Sequence, residues 1–132
     1  MSKEITLRNF WRFNMSLKIL IVEDESRISH LLSLYLKKES FHVDVENNGD
    51  DGLTKALQVD YDVIILDVFM PGKDGFMVLE GIRQHKNTPV IMLSAQSGEY
   101  DQRKGYDLGA NAFISKPFSP SEVVAKVKGI LA

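Results

Sequence analysis

With 132 residues, 44% of them hydrophobic and 26% charged, the chain is sized and composed for one globular domain with its own core. A formal net charge of −2 gives no electrostatic ground for direct nucleic-acid binding. Apolar runs such as Val63 to Leu66 fall far short of the ~20 residues a membrane helix needs.

The N-terminus mixes charged and aromatic residues without an apolar signal core. Residues 1–15 read as a leader, disordered or not native, ahead of a packed unit over 16–132. The Phe10-Trp11-Arg12-Phe13 cluster gives this leader a second reading, as a partner-binding arm. From Leu17 onward, strands and helices alternate. Leu17 to Val22 is an apolar run broken only by Lys18, as suits a strand covered on both faces. Ser26 is placed to cap a helix with Ile28, Leu31, Leu32 and Leu36 at helical spacing. Phe41 to Val45 alternates like an edge strand, and Asn48-Gly49 turns into a helix containing Leu53, Ala56 and Leu57. Val63 to Leu66 is a second wholly apolar strand. Met70-Pro71-Gly72 breaks the chain before a helix marked by Phe76, Val78, Leu79 and Ile82. Pro89 to Leu93 reads as the next buried strand, followed by a polar helix from about Gly98 to Leu108. Asn111 to Ile114 is short and strand-like. Ser119-Pro120 starts a last helix with Val123, Val124, Val127 and Ile130 on its buried side.

Five strand–helix units argue for an α/β fold, a parallel sheet with helices on both faces. Ligands in such sheets sit at the carboxyl ends of the strands, so chemistry belongs just after Val22, Leu66 and Leu93. The residues at those points are Glu23-Asp24-Glu25, Asp67 and Ser94, and the short fifth strand leads into Lys116-Pro117. Two carboxylates ~4 Å apart repel by roughly 4 kcal/mol at an effective dielectric of 20. Glu23, Asp24 and Asp67 converging at one sheet end therefore call for a cation, and an oxygen set with few carboxylates suits magnesium. An aspartate serves as nucleophile toward phosphorus. Lys116 and the Ser94 hydroxyl then answer the charge on the equatorial oxygens. The Lys116-Pro117 bond is a candidate for the cis form. Each residue alone has a plainer reading, as a solvated acidic run, a cap or a loop. Their joint order along the strand ends favours the chemical one.

These segments resemble the receiver domain of bacterial two-component response regulators. The resemblance is carried by Ile19-Leu20-Ile21-Val22-Glu23-Asp24-Glu25, Asp62-Val63-Ile64-Ile65-Leu66-Asp67, Met70-Pro71-Gly72-Lys73-Asp74-Gly75, Pro89-Val90-Ile91-Met92-Leu93-Ser94-Ala95 and Lys116-Pro117-Phe118. It spans residues 17 to 131. It implies a doubly wound, flavodoxin-like sheet of strand order 2-1-3-4-5. It implies Asp67 as phosphoacceptor, a sensor histidine kinase as donor, and self-directed phosphoryl transfer in place of substrate turnover. It also implies magnesium held by Glu23, Asp24, Asp67 and the Phe69 carbonyl, with Lys116 on the phosphoryl group and Ser94 and Phe113 as switch residues. The switch would repack the segment from Ser94 to Phe118, where Gly98, Gly105 and Gly109 loosen the chain.

Three positions depart from the common pattern. Ser94 replaces threonine, Phe113 lacks a tyrosine hydroxyl, and Asn111-Ala112 replaces paired aspartates used in dimer salt bridges. A homodimer through the last two helices and strand is expected on resemblance alone, weakened by that last change. Phe69 lies two residues past the acceptor and Gln96 two past the hydroxyl, and Phe69 is expected to shield an acyl phosphate from water. The ending, from Ser119 to Lys128, resembles the last receiver helix of regulators with a winged-helix DNA-binding domain. An output domain missing from this chain is expected on that ground, beside the alternative of a single-domain regulator. Cytoplasmic location is expected from the resemblance and, weakly, from the absence of cysteine.

Three other readings stay open here. A haloacid-dehalogenase-type phosphatase shares the strand-end aspartate and magnesium, but would want an aspartate where Phe69 stands. A flavin carrier of this fold would want a phosphate-binding loop where the three acids stand. The third is a receiver-shaped binding module that is never phosphorylated.

Overall fold

The computed structural model describes residues 16–95 and 98–132. The leader and Gln96 lie outside the described residues. Ten elements follow in strict alternation: β1 (Lys18–Val22), α1 (Ser26–Lys38), β2 (His42–Glu46), α2 (Gly49–Gln58), β3 (Val63–Asp67), α3 (Gly75–Arg83), β4 (Val90–Ser94), α4 (Glu99–Asp107), β5 (Ala112–Ser115) and α5 (Pro120–Leu131). The strands form one parallel sheet in the order β2-β1-β3-β4-β5, the doubly wound arrangement expected.

Period-two alternation divides the core in two. Leu20, Val22, Ile64, Leu66, Val90 and Met92 point to the face covered by α2, α3 and α4, with Ala56, Leu79 and Ile82. Ile19, Ile21, Val63, Ile65, Ile91 and Leu93 point to the face covered by α1 and α5, with Leu32, Leu36, Val123 and Val127. Every residue of β3 and β4 is buried, which is why these strands read as continuous apolar runs. β2 lies at the sheet edge and has no buried residue, so it alternates instead.

Most helix starts follow the sequence signals. Asn48 caps α2 by accepting from the Asp51 N–H at 2.8 Å, and Asp74 caps α3 by accepting from Met77 at 2.9 Å. Ser119 caps α5 through the Glu122 N–H at 3.3 Å, with Pro120 in the first turn. Ser26 does not cap α1. The extended residue before the helix is Glu25, whose carbonyl accepts from Ile28 and Ser29, and no side chain caps this end. Ser26 is already helical, so its hydroxyl is past the position from which it would reach the free amides. Strand bounds differ from the sequence reading by one residue at several ends. Leu17, for example, lies outside β1, although its carbonyl still accepts from His42 at 2.9 Å.

α4 is held differently from its neighbours. Gly105 is its only buried residue, and a Cβ there would stand 3.2 Å from Met92 Sδ and 3.2 Å from the Phe113 ring. Lys104 reaches over the Phe76 ring of α3, Nζ 4.6 Å from the centroid. A close backbone approach and a cation–π contact thus help to seat this polar helix.

Candidate functional site

Register brings the acids together. Val22 pairs with Leu66, so the next residues, Glu23 and Asp67, leave the sheet side by side. The Glu23 N–H continues the ladder to Glu46 O at 3.0 Å. Asp67 also pairs with Leu93, one residue before Ser94. On the far side Ser94 pairs with Ser115, and the Lys116 N–H donates to Ser94 O at 2.8 Å. Four strand ends thus deliver Glu23, Asp67, Ser94 and Lys116 to one edge of the sheet, and Asp24 follows Glu23 at the rim. The Lys116-Pro117 peptide is cis.

Glu23, Asp24 and Asp67 each offer a carboxylate oxygen, and these oxygens lie within 4.8 Å of one another. Glu23 and Ser94 are fully buried and Asp67 almost so, while Asp24 is exposed. Lys116 Nζ bridges the pair, 2.9 Å from Glu23 Oε1 and 3.2 Å from Asp67 Oδ1, with Glu25 Oε1 at 4.0 Å. Oε1 of Glu23 is buried and meets the Lys116 ammonium, while Oε2 accepts from the Glu25 N–H at 3.3 Å.

The electrostatics follow from burial. Desolvation pushes the Glu23 carboxyl up to about 8, a hydrogen bond with Asp67 and that residue's charge add to the rise, and the Lys116 ammonium opposes it. For Lys116, burial alone would lower the value. The contacts with Glu23 and Asp67 together outweigh it, and the net shift is upward. Three carboxylates against one ammonium leave two negative charges uncompensated when all are ionised. Three carboxylates with oxygens within 4.8 Å of one another and one ammonium among them fit a small divalent cation that takes oxygen ligands.

The other expected residues are placed as follows. Phe69 lies just past β3 with its ring half exposed. Phe113 lies on β5, partly buried on the α4 side against Gly105. Asn111 does more than the sequence suggested. Its Oδ1 accepts from the Val90 N–H at 3.0 Å and from Arg83 Nη2 at 3.1 Å. Sequence reasoning also passed over two contacts near the site: Glu25 beside Lys116, and the first turn of α2 against the loop after β3. No local signal marks either, because both join segments far apart in the chain.

The family model described as response regulator receiver domain matches residues 19–128. The transcriptional regulatory protein ResD of Bacillus subtilis is 47% identical over 114 residues, which cover 86% of this chain and 48% of that protein. SrrA of Staphylococcus aureus, also named a transcriptional regulatory protein, is 45% identical over 117 residues, covering 89% of this chain and 48% of its own. The chain therefore spans about half the length of the curated relatives it matches. Among solved structures, the BeF3-activated N-terminal receiver domain of Klebsiella pneumoniae RstA superposes with a TM-score of 0.81 at 28% identity, covering 86% of this chain and 97% of that one. With the whole sheet and the converging strand ends matched to one family, the chain belongs to the response regulator receiver domains, the phosphoacceptor modules of two-component signal transduction.

Proposed function

We propose that Asp67 is the phosphoacceptor and that Glu23, Asp24, Asp67 and the Phe69 carbonyl hold magnesium beside it. The observation that carries this reading is the cluster of three carboxylates within 4.8 Å, bridged by Lys116 at 2.9 and 3.2 Å. Magnesium, when bound, supplies charge neutralisation at the phosphoryl oxygens. An Asp67 carboxylate oxygen attacks the phosphorus of a phosphohistidine on a sensor kinase, or of a small phosphodonor. The P–N bond to the kinase histidine breaks, its electron pair stays on the imidazole, which takes a proton, and an aspartyl phosphate forms. Lys116 turns from Asp67 toward the new dianion as a compact point charge. The Ser94 hydroxyl donates to it, and Phe113 follows by repacking under α4. This is one self-directed transfer, later undone by water, and not turnover of a substrate.

We place the domain at residues 16–132 of a cytoplasmic regulator. The names of ResD and SrrA, and the half of their length that this chain spans, support an output domain that binds DNA in the whole protein. The receiver itself makes no direct contact with nucleic acid in this reading, and none of the described helices is long and apolar enough to cross a membrane. A homodimer through α4, β5 and α5 is the assembly proposed for the phosphorylated state.

Incubation with acetyl phosphate or phosphoramidate and magnesium tests the reading by intact mass. The protein is expected to gain one phosphoryl group, lost when a chelator replaces magnesium and absent in Asp67→Asn. A full gain in Asp67→Asn would overturn it.

A further inference from the structure

The loop from Val68 to Asp74 joins Asp67 to α3, and the proposed metal ligand on Phe69 lies within it. Its base is closed by the Gly75 N–H donating to Val68 O at 2.7 Å, and Met70 packs against the α2–α4 core. Beyond Met70 the crest runs out over the surface, with Pro71 and Gly72 exposed. There it meets the first turn of α2. The Gly49 N–H donates to Pro71 O at 3.5 Å. A Cβ built on Gly49 would overlap the Lys73 carbonyl oxygen and stand 2.7 Å from its carbonyl carbon. One residue later, the Asp50 carboxylate occupies the space that a Cβ on Gly72 would need, and the Gly72 φ of +76° is the left-handed region glycine adopts freely. At Gly49 the helix start and the loop crest are thus in backbone-to-backbone contact.

We infer that Gly49 is a positioning residue for the metal side of the site: its bare Cα lets α2 seat the crest at Pro71–Lys73 and so fixes the loop carrying the Phe69 carbonyl beside Asp67. This rests on the proposed metal reading. A methyl group at position 49 cannot be absorbed by a rotamer change, because what it meets is backbone. The crest must move, and the Phe69 carbonyl just before it shifts relative to Glu23, Asp24 and Asp67. Groups that orient metal ligands without touching the ion typically change affinity by about 10- to 100-fold when altered.

Gly81 on α3 supplies the control. A Cβ there would stand 2.8 Å from both methyl carbons of Leu53, so Gly81→Ala crowds a movable side chain between α2 and α3 and leaves the crest alone. Magnesium is titrated into isotope-labelled wild type, Gly49→Ala and Gly81→Ala, followed by amide NMR shifts, with the folded state checked in the same spectra. Gly49→Ala is expected to bind magnesium about tenfold more weakly, with its metal-free shift changes centred on residues 69–73 and Gly81→Ala unchanged in affinity. Phosphorylation by acetyl phosphate should need correspondingly more magnesium for half-maximal rate and reach the wild-type maximum. Equal affinity in Gly49→Ala and wild type would overturn the inference, as would equal weakening in both variants. If Gly49→Ala does not fold, Gly72→Ala displaces the crest directly, since its Cβ would both strain the φ of +76° and meet Asp50 Oδ2: weaker binding supports the inference and unchanged binding overturns it. Wild type that binds no magnesium would instead overturn the metal reading on which it rests.

Discussion

Lys116 and Glu23 show how the site holds charge that a protein core normally rejects. A lone buried carboxylate is costly unless paired or protonated, and Glu23 is fully buried with the Lys116 ammonium at 2.9 Å. Its raised value means that the folded protein binds more protons than the unfolded chain between the ordinary 4.5 and about 8. Its contribution to stability is therefore fully present below about 4.5 and is lost as pH rises through about 8. Asp44, lowered by the hydrogen bond from Tyr61, loses its contribution only as pH falls below the ordinary carboxylate range, so it does not intrude on this window. Metal-free protein is expected to show a falling melting temperature from about pH 5 to 8, and saturating magnesium to flatten that trend. Calorimetry across the range checks this, and a flat metal-free profile would contradict it. Lys116→Met removes the cation from both carboxylates, which sit 2.9 and 3.2 Å away. The rate of phosphorylation by acetyl phosphate is expected to drop about a hundredfold, the scale for losing one preorganised charge donor. Phe69, half exposed at the rim, is expected to slow hydrolysis of the phosphoryl group. Autodephosphorylation should be faster in Phe69→Ala, and an unchanged half-life would sink that idea.

Among the elements, α4 is the one expected to open most readily. With Gly105 its only buried residue and Lys104 stacked on Phe76, it falls at the low end of local stability. Lys104→Ala removes a contact worth about 0.5–1 kcal/mol. Amide exchange in α4 should rise several-fold while β3 and β4 stay protected; uniform acceleration would mean that α4 has no separate opening. The segment after α4 is tied down instead. Arg83 donates to Gly109 O at 3.1 and 2.9 Å, to Thr88 O at 2.7 Å and to Asn111 Oδ1 at 3.1 Å. Arg83→Leu would strand several carbonyls and cost about 2 kcal/mol, readable as a lower urea midpoint. This tie was not legible in the sequence, because nothing there marks Arg83 and Asn111 reads only as a lost charge. The buried strands were legible. Two-sided burial demands uninterrupted apolar runs, and Val63 to Leu66 and Val90 to Leu93 are such runs. The Ser26 cap misled because the choice of cap between neighbours depends on where the chain leaves β1.

At the scale of the molecule, the sheet is a device for bringing together side chains distant in sequence. Parallel strands all end on one edge, so Glu23, Asp67, Ser94 and Lys116 are gathered by topology alone. That much could be read from alternation and the residues at the strand ends, without any distance. Close packing could not. The seat of α2 on the loop crest and the Gly105 contact with Phe113 depend on which backbones approach, and composition and periodicity do not encode that. Reductive trapping offers the most direct test of the central claim. Borohydride converts an aspartyl phosphate to homoserine, which peptide mass mapping locates in the chain. After treatment with acetyl phosphate and magnesium, the account predicts homoserine at position 67 and at no other aspartate. Homoserine at another aspartate, with Asp67 intact, would contradict it.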